Sequence, residues 1–173
     1  MNVDFSNIHE HIIPIDNFRL KWRFTEEKYD LLPNEYLDQL KPLNEKASLF
    51  LWNFIDQTNL HENIPFKNDF FKTIDKAKIS GDNNKEIKKW LYQRGIRFDK
   101  PVFLSWQPTD GMIVPWKIFI KYFDSFYYGG DDLTIIDQSL IWSLLFYHED
   151  QIYFGTKKEF VPSKTFDDIH FIW

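Results

Sequence analysis

The chain has 173 residues, with 21 basic and 26 acidic side chains and a formal net charge of −5. Hydrophobic residues make up 43% and charged residues 27% of it, which is close to the average for a folded soluble domain and far from the composition of disordered chains. The absence of cysteine excludes disulfides, cysteine-ligated metals and thiol nucleophiles. The length predicts one domain that covers residues 1–173.

The sequence also argues against a membrane location. Its clearest apolar run, at residues 140–147, is far shorter than the roughly 18 residues of a membrane-spanning helix. Residues 1–10 lack the basic start and apolar run of a signal peptide. We therefore expect a cytoplasmic protein with no membrane partner.

Charge is distributed unevenly along the chain. Residues 1–66 and 101–173 each carry a net charge of −5, whereas residues 67–100 carry +5. We interpret the basic segment as two solvated helix faces around a polar turn at residues 80–84. Since nucleic-acid-binding domains are normally basic, a pI of about 5.5 argues against a nucleic-acid partner.

In the first half of the chain, hydrophobic periodicity predicts one strand and three helices. Residues 18–24 alternate apolar and basic side chains, which is the pattern of a half-buried strand. A short apolar stripe at residues 36–40 predicts a helix that Pro42 ends. Residues 44–57 repeat apolar side chains at helical spacing and predict an amphipathic helix with Asn44 as its N-cap. A similar stripe at residues 87–91 predicts a helix capped by Gly95.

The last third of the chain predicts a sheet. Residues 102–106 favour a strand, followed by a loop at 107–111 and a helix at 116–127 that begins after Pro115. Three β-rich segments at 133–136, 140–147 and 151–156 are joined by connections too short for parallel pairing. The second segment is apolar on both faces and should be the central strand.

These elements together predict an α+β fold in a single domain. Its core is an antiparallel β-sheet of about four strands. The sheet is expected to pack against the amphipathic helices at residues 44–57 and 116–127.

The densest group of titratable residues near the predicted sheet comprises Asp131, Asp132, His148, Glu149 and Asp150. A histidine beside carboxylates can act as a general base, the arrangement that a small hydrolytic enzyme would use. The same residue types also form the polar tips of most β-hairpins. We therefore take these five as candidate binding residues and assign no catalytic residue.

Familiar cofactor and metal motifs do not occur in the sequence. His9 and His11 stand two residues apart, but zinc takes three or four protein ligands, and neither His61 nor His170 can be assigned to the pair. There is no glycine-rich phosphate loop and no G-x-S-x-G nucleophile motif. We expect no metal and no cofactor.

Two sets of motifs resemble known bacterial proteins. One set resembles motifs of a group of small uncharacterised bacterial proteins and consists of Lys21-Trp22-Arg23-Phe24, Leu32-Pro33, Leu40-Lys41-Pro42-Leu43, Trp52, Trp116, Phe119, Phe126, Tyr128 and Asp131-Asp132. The terminal hairpin of many bacterial toxin-immunity proteins is similar at Asp137-x-Ser139-Leu140-x-Trp142, His148-Glu149 and Phe154-Gly155. The first resemblance implies only a compact cytosolic domain. The second implies a stoichiometric inhibitor that binds a toxin domain, often a basic nuclease, through an acidic surface.

We therefore predict a protein-binding module, with neutralisation of a toxin as its sharpest form. Its acidic flanks would steer a basic protein partner towards it. The alternative is a small hydrolytic enzyme that uses the histidine and carboxylate cluster.

Overall fold

A computed structural model describes residues 2–29 and 31–173. Within these residues, seven strands form one antiparallel sheet: β1 (Lys41–Pro42), β2 (Thr73–Lys78), β3 (Pro101–Gln107), β4 (Asp110–Pro115), β5 (Leu133–Ile136), β6 (Trp142–Tyr147) and β7 (Gln151–Thr156). Their order across the sheet is β1-β4-β3-β5-β6-β7-β2.

Seven α-helices accompany the sheet in the same described ranges: α1 (Trp22–Thr25), α2 (Asn34–Leu37), α3 (Glu45–Gln57), α4 (Asn84–Tyr92), α5 (Trp116–Lys121), α6 (Phe123–Phe126) and α7 (Ile169–Ile172). Two short 3₁₀ turns at Ile8–His11 and Ile15–Asn17 precede them. None of the helices in the described part of the chain has the length and apolar character needed to cross a membrane.

Helices cover both faces of the sheet. α3 packs on β3 and β4, and we call that side the α3 face. On the other side, which we call the α5 face, α5 packs on β4 and contacts α4, α6 and α7. The larger core lies on the α5 face around Trp116, Phe119 and Phe146. The two predicted amphipathic regions therefore both pack on the sheet, on opposite faces.

Helix α3 confirms the prediction for residues 44–57. The Asn44 side chain accepts the backbone N–H of Ala47 at 2.9 Å, which satisfies one of the free donors of the first turn. Leu51 and Ile55 are buried against the sheet. Just beyond the helix, Asn59 adopts a φ of 55°, a left-handed conformation that asparagine tolerates at helix ends.

Strands β5, β6 and β7 form the predicted antiparallel meander. β5 and β7 have the predicted bounds, while β6 begins two residues later than predicted because Leu140 lies in a turn with a φ of 50°. β6 pairs with both neighbours and is buried on both faces up to Phe146. β3 joins the meander by pairing with β5, so that β5 is the middle strand of the whole sheet.

The prediction of about four strands was wrong, because it missed three strands at the two sides of the sheet. β2 carries few apolar residues, since Lys76 and Lys78 of this edge strand face solvent. β4 follows β3 after a turn at Pro108 and Thr109, where the sequence predicts a loop at 107–111 and a helix that begins after Pro115. β1 has two residues, which is too short to show periodicity.

The predicted strand at residues 18–24 was also wrong. The segment forms a turn at residues 19–21 that leads into α1, and the N–H groups of Lys21, Arg23 and Phe24 bond to carbonyls three residues earlier. The alternation arises because Phe24 and its apolar neighbours face the core, but the basic residues do not share a solvent side. Arg23 is 2% exposed, whereas Arg19 reaches out to Asp110.

Helix boundaries differ from the prediction at three places. The expected helix at 116–127 breaks at Tyr122, where φ is −121° and ψ is 29°, and so divides into α5 and α6. α2 ends at Leu37, earlier than the predicted stop before Pro42. Gly95 has a φ of 71° two residues beyond Gln93, the C-cap of α4, which fits a glycine that follows a helix end.

Candidate functional site

The five predicted site residues lie together at one end of the meander. Asp132 Oδ1 accepts hydrogen bonds from the backbone N–H and from Nδ1 of His148, at 2.8 and 2.9 Å. These bonds tie the chain before β5 to the turn between β6 and β7. Asp131 forms an ion pair with Arg23, beside α6, whose carbonyl at Phe126 also accepts from that guanidinium.

Asp150 is held by a tyrosine of the helix layer. The Tyr127 hydroxyl donates to the carbonyl of Tyr147 at 2.7 Å and accepts the backbone N–H of Asp150 at 3.2 Å. Burial, together with the charge of Asp150, raises the pKa of Tyr127 well above its ordinary range, so the hydroxyl keeps its proton at neutral pH. The hairpin tip is thereby fixed, and Glu149 stays exposed on it.

A cavity of about 520 Å³ opens beside this acidic group on the α3 face. The end of α3, the segment after it and strands β3, β5 and β6 form its wall. Its apolar lining consists of Trp52, Ile55, Leu60, Ile64, Trp106 and Leu145. Asp131 and Asp132 reach the cavity, whereas the other three predicted residues do not line it. The volume is within the range of small-molecule and side-chain pockets.

Small polar side chains in the middle of the sheet create this cavity. Ser105 of β3 pairs with Thr134 of β5, which in turn pairs with Leu145 of β6. Two residues further along the same strands, the α3 face carries Phe103 opposite Ile136, and these large side chains fill the layer beneath the helix. At Ser105 and Thr134 the side chains are too small to fill this layer, and the cavity occupies the space that they leave.

His61 closes the cavity from the segment that follows α3. Its Nδ1 lies 2.7 Å from the carbonyl oxygen of Pro65, which can only accept, so Nδ1 carries the proton. Nε2 therefore accepts the Thr134 hydroxyl at 2.8 Å. Burial lowers the pKa of His61, and the imidazole is neutral at neutral pH.

Ser105 differs from Thr134 in that its hydroxyl is unpaired. The residue is 3% exposed, and Oγ has no hydrogen-bond partner among residues 2–29 and 31–173. Buried hydroxyls normally have a partner, because burying one without a hydrogen bond costs about 1–3 kcal/mol. Ser105 lines the cavity, and its hydroxyl has one donor and two acceptor sites unused within the described residues.

Carboxylates surround the mouth of the cavity, at Asp56, Glu62, Asp131 and Asp132. None of the lysines or arginines in the described ranges lines it. Two of the acids have cations further out, since Asp131 pairs with Arg23 and Glu62 lies 3.8 Å from Lys67. The mouth nevertheless has an excess of negative charge.

A more open cleft of about 880 Å³ lies at the other end of the same strands, and the buried polar side chains that line it have hydrogen-bond partners. Trp142 Nε1 donates to Asp137 at 2.9 Å, Lys100 lies 3.0 Å from the same carboxylate, and Arg94 pairs with Asp75. No three His, Asp or Glu side chains of the described chain stand close enough to hold a metal ion. The cavity on the α3 face is therefore the candidate site.

Sequence reasoning missed His61, Ser105 and Thr134 as a group. One signal was present, because each hydroxyl residue interrupts an otherwise apolar strand, Val-Phe-Leu-Ser-Trp in β3 and Leu-Thr-Ile-Ile in β5. A polar side chain in a strand covered on both faces has to be buried. His61 gave no such signal, since its segment has no periodicity.

Comparisons with known proteins found no match, so a function has to be inferred from the geometry of this site. No protein-family model, curated protein or solved structure matches the chain.

Proposed function

We propose that the chain is a protein-binding module that recognises a basic protein. The surface concerned, which we call the acidic face, consists of Asp56, Glu62, Asp131, Asp132, Glu149 and Asp150. The observation that carries this proposal is the acidic mouth of the cavity, which no lysine or arginine of the described residues lines. Its sharpest form is neutralisation of a toxin domain in the cytoplasm, the function implied by the resemblance of the hairpin.

Several acids of this face are held in place before any partner arrives. Asp132 is bonded to His148, Asp131 is paired with Arg23, and Asp150 is fixed by Tyr127. Ordering a flexible side chain on binding costs about 0.5–1.5 kcal/mol. A face that is already ordered avoids part of this cost, which favours a role in recognition.

The distribution of charge supports the same partner class. The basic segment supplies β2, at the far edge of the sheet, and α4, which contacts α5 and α7 on the α5 face. Two of its lysines lie beside the acidic face, since Lys67 is 3.8 Å from Glu62 and the strand partner of Lys78 is Gln151, next to Asp150. The lysines of α4 are separated from the cavity mouth by the sheet. Such separation raises the association rate of an oppositely charged protein and makes that rate sensitive to salt.

The test begins with capture of the partner from the source organism and its identification by mass spectrometry. Association kinetics are then measured at low and high ionic strength for the wild type and for a triple variant, Asp56→Asn, Glu62→Gln and Glu149→Gln. These three exposed acids hold no buried group. We expect the association rate to fall about tenfold in the variant and to fall with salt in the wild type.

The matched control removes three exposed acids elsewhere, by Glu86→Gln, Glu159→Gln and Asp167→Asn. It changes the net charge equally and should leave the association rate close to that of the wild type. Asp131 is left intact in both variants because its loss would leave the buried Arg23 without its charge partner. The proposal would be contradicted by an association rate that changes neither with salt nor in the acidic triple variant. A partner that is a nucleic acid would contradict it too.

Hydrolysis is a second candidate function, favoured by the hydrogen bond between Thr134 and His61 inside the cavity. A hydroxyl bonded to an imidazole that a carbonyl orients has the nucleophile and base arrangement of covalent catalysis. The base would then be His61 rather than His148. Turnover of p-nitrophenyl acetate that Thr134→Val and His61→Gln both abolish would support this candidate. If the wild-type protein does not hydrolyse the ester faster than buffer alone, this candidate is contradicted.

A further inference from the structure

Two residues with hydroxyl groups, Ser105 and Thr134, line the cavity. Ser105 Oγ is buried and unpaired among the described residues. The Thr134 hydroxyl donates a hydrogen bond to His61, so both lone pairs of Oγ1 can still accept. The two residues are register partners on adjacent strands, which places their side chains next to each other on the same face of the sheet. A ligand that brings N–H donors would satisfy both.

The charges around the cavity favour a positive ligand. Asp56 stands at the end of α3, and no ion pair of its carboxylate occurs in the described part of the chain. Asp132 adds a second carboxylate at the mouth. Burial lowers the pKa of His61, so the imidazole adds no positive charge to the lining at neutral pH. No cationic group of the described lining opposes a bound cation.

The remaining lining is apolar and aromatic, with Trp52 at the mouth and Leu60 and Leu145 deeper inside. Trp52 is 39% exposed, so one side of its indole is open to a ligand. Aromatic faces attract cations, and the apolar walls match a hydrocarbon stem.

We propose that this cavity binds an organic cation carried on an apolar stem, best a guanidinium group. A guanidinium presents five N–H donors in one plane and stacks on aromatic rings, which fits the hydroxyls, carboxylates and indole together. An arginine side chain of the basic partner is the source that rests on the proposed function, while a free guanidino compound would use the same chemistry.

The first experiment uses small probes and the full chain. Nα-acetyl-arginine amide and its uncharged isostere Nα-acetyl-citrulline amide are titrated by calorimetry, with the indole signal of Trp52 followed by NMR. We expect a Kd of about 1 mM for the arginine probe and binding of the citrulline probe weakened about tenfold or more. Equal binding of the two probes, or no heat with the arginine probe at ten times that concentration, would overturn the site.

Three variants locate the probe. Asp56→Asn removes charge without changing shape, Ser105→Ala removes the unpaired hydroxyl, and Ser105→Leu fills the cavity. The first two variants should each bind the arginine probe severalfold more weakly, and the third should not bind it. Glu159→Gln lies outside the cavity and is the control. Wild-type affinity in both mild variants would refute the assignment even if Ser105→Leu failed to fold.

The binding kinetics of the partner with the Ser105→Leu variant show whether the cation is an arginine of the partner or a free guanidino compound. They also separate the cation site from the proposed protein-binding function. Faster dissociation of the partner, with an unchanged association rate, means that a partner side chain enters the cavity. Unchanged partner kinetics with loss of the arginine probe means that a free guanidino compound is the ligand. If the acidic triple variant slows the partner while the arginine probe never binds, the protein-binding function stands and the cation site is refuted.

Discussion

Gly155 of β7 packs closely against Phe71 on the α3 face of the sheet. A Cβ added there would lie 2.2 Å from Cδ2 and 2.7 Å from Cε2 of Phe71. The Phe71 ring is buried between Phe66 and Phe70, with ring centroids 4.9 and 4.8 Å away. These neighbours limit how far the ring can move. The requirement for glycine at this position is one of space and not of backbone conformation.

We expect Gly155→Ala to lower the free energy of unfolding by about 1–3 kcal/mol, the usual cost of overpacking. In a chain of this size that loss corresponds to a Tm lower by about 2–12 °C. Urea unfolding followed by tryptophan fluorescence measures it. Gly81→Ala is the matched control, because nothing lies within 4 Å of its added Cβ, and we expect it to be neutral or stabilising by up to about 1 kcal/mol.

A loss below about 0.5 kcal/mol in Gly155→Ala, typical of an exposed surface position, would refute the close packing. A double variant sharpens the test. Phe71→Leu removes the ring that the new methyl group would meet, so the two changes together should cost less than the sum of their separate costs. Additive costs would mean that the two residues do not touch.

Other parts of the structure give three further predictions. Trp142→Ala should cost about 3–5 kcal/mol in urea melts, because the indole is buried and donates to Asp137; a loss under about 1 kcal/mol would refute the packing of β6. His148→Asn should cost less than about 1 kcal/mol, since His148 and Asp132 are both about half exposed; a larger loss would show that the hairpin tip is structural. Burial lowers the pKa of His61, so the unfolded chain binds a proton first and stability should fall as pH drops below about 6.5, by up to about 1.4 kcal/mol per pH unit. Urea melts at pH 7.5 and 5.5 should show a smaller pH effect in His61→Gln, and equal slopes would contradict the role of His61.

The sequence predicted the elements whose apolar pattern is set by burial alone. α3 shows a clear helical stripe because one side of it is buried along its whole length. β5, β6 and β7 are largely buried on both faces, so most of their side chains are apolar and the segments are bounded by polar turns. In both cases local pattern and tertiary environment agree.

The elements that were missed or misassigned depend on contacts distant in sequence. The side chains of β2 look solvated because one face of this edge strand is solvated, and only its pairing with β7 makes it a strand. Residues 18–24 alternate for a different reason, since Arg23 is buried by its pairing with Asp131, a residue more than a hundred positions away. The cavity depends in the same way on the register of Ser105 opposite Thr134, which no local pattern encodes.

The edges of the sheet argue that a partner would bind the acidic face and not extend the sheet. At one edge, β2 presents Lys76 and Lys78 to solvent, and charged edge residues oppose pairing with another chain. At the other edge, β1 is only two residues long, which offers few free backbone groups for an added strand. The large opening that remains on the α3 face is the one where Ser105 and Thr134 interrupt the apolar layer, and its mouth is acidic. A basic side chain that enters there would contact apolar walls, carboxylates and two hydroxyls at once, a combination that an edge strand does not provide.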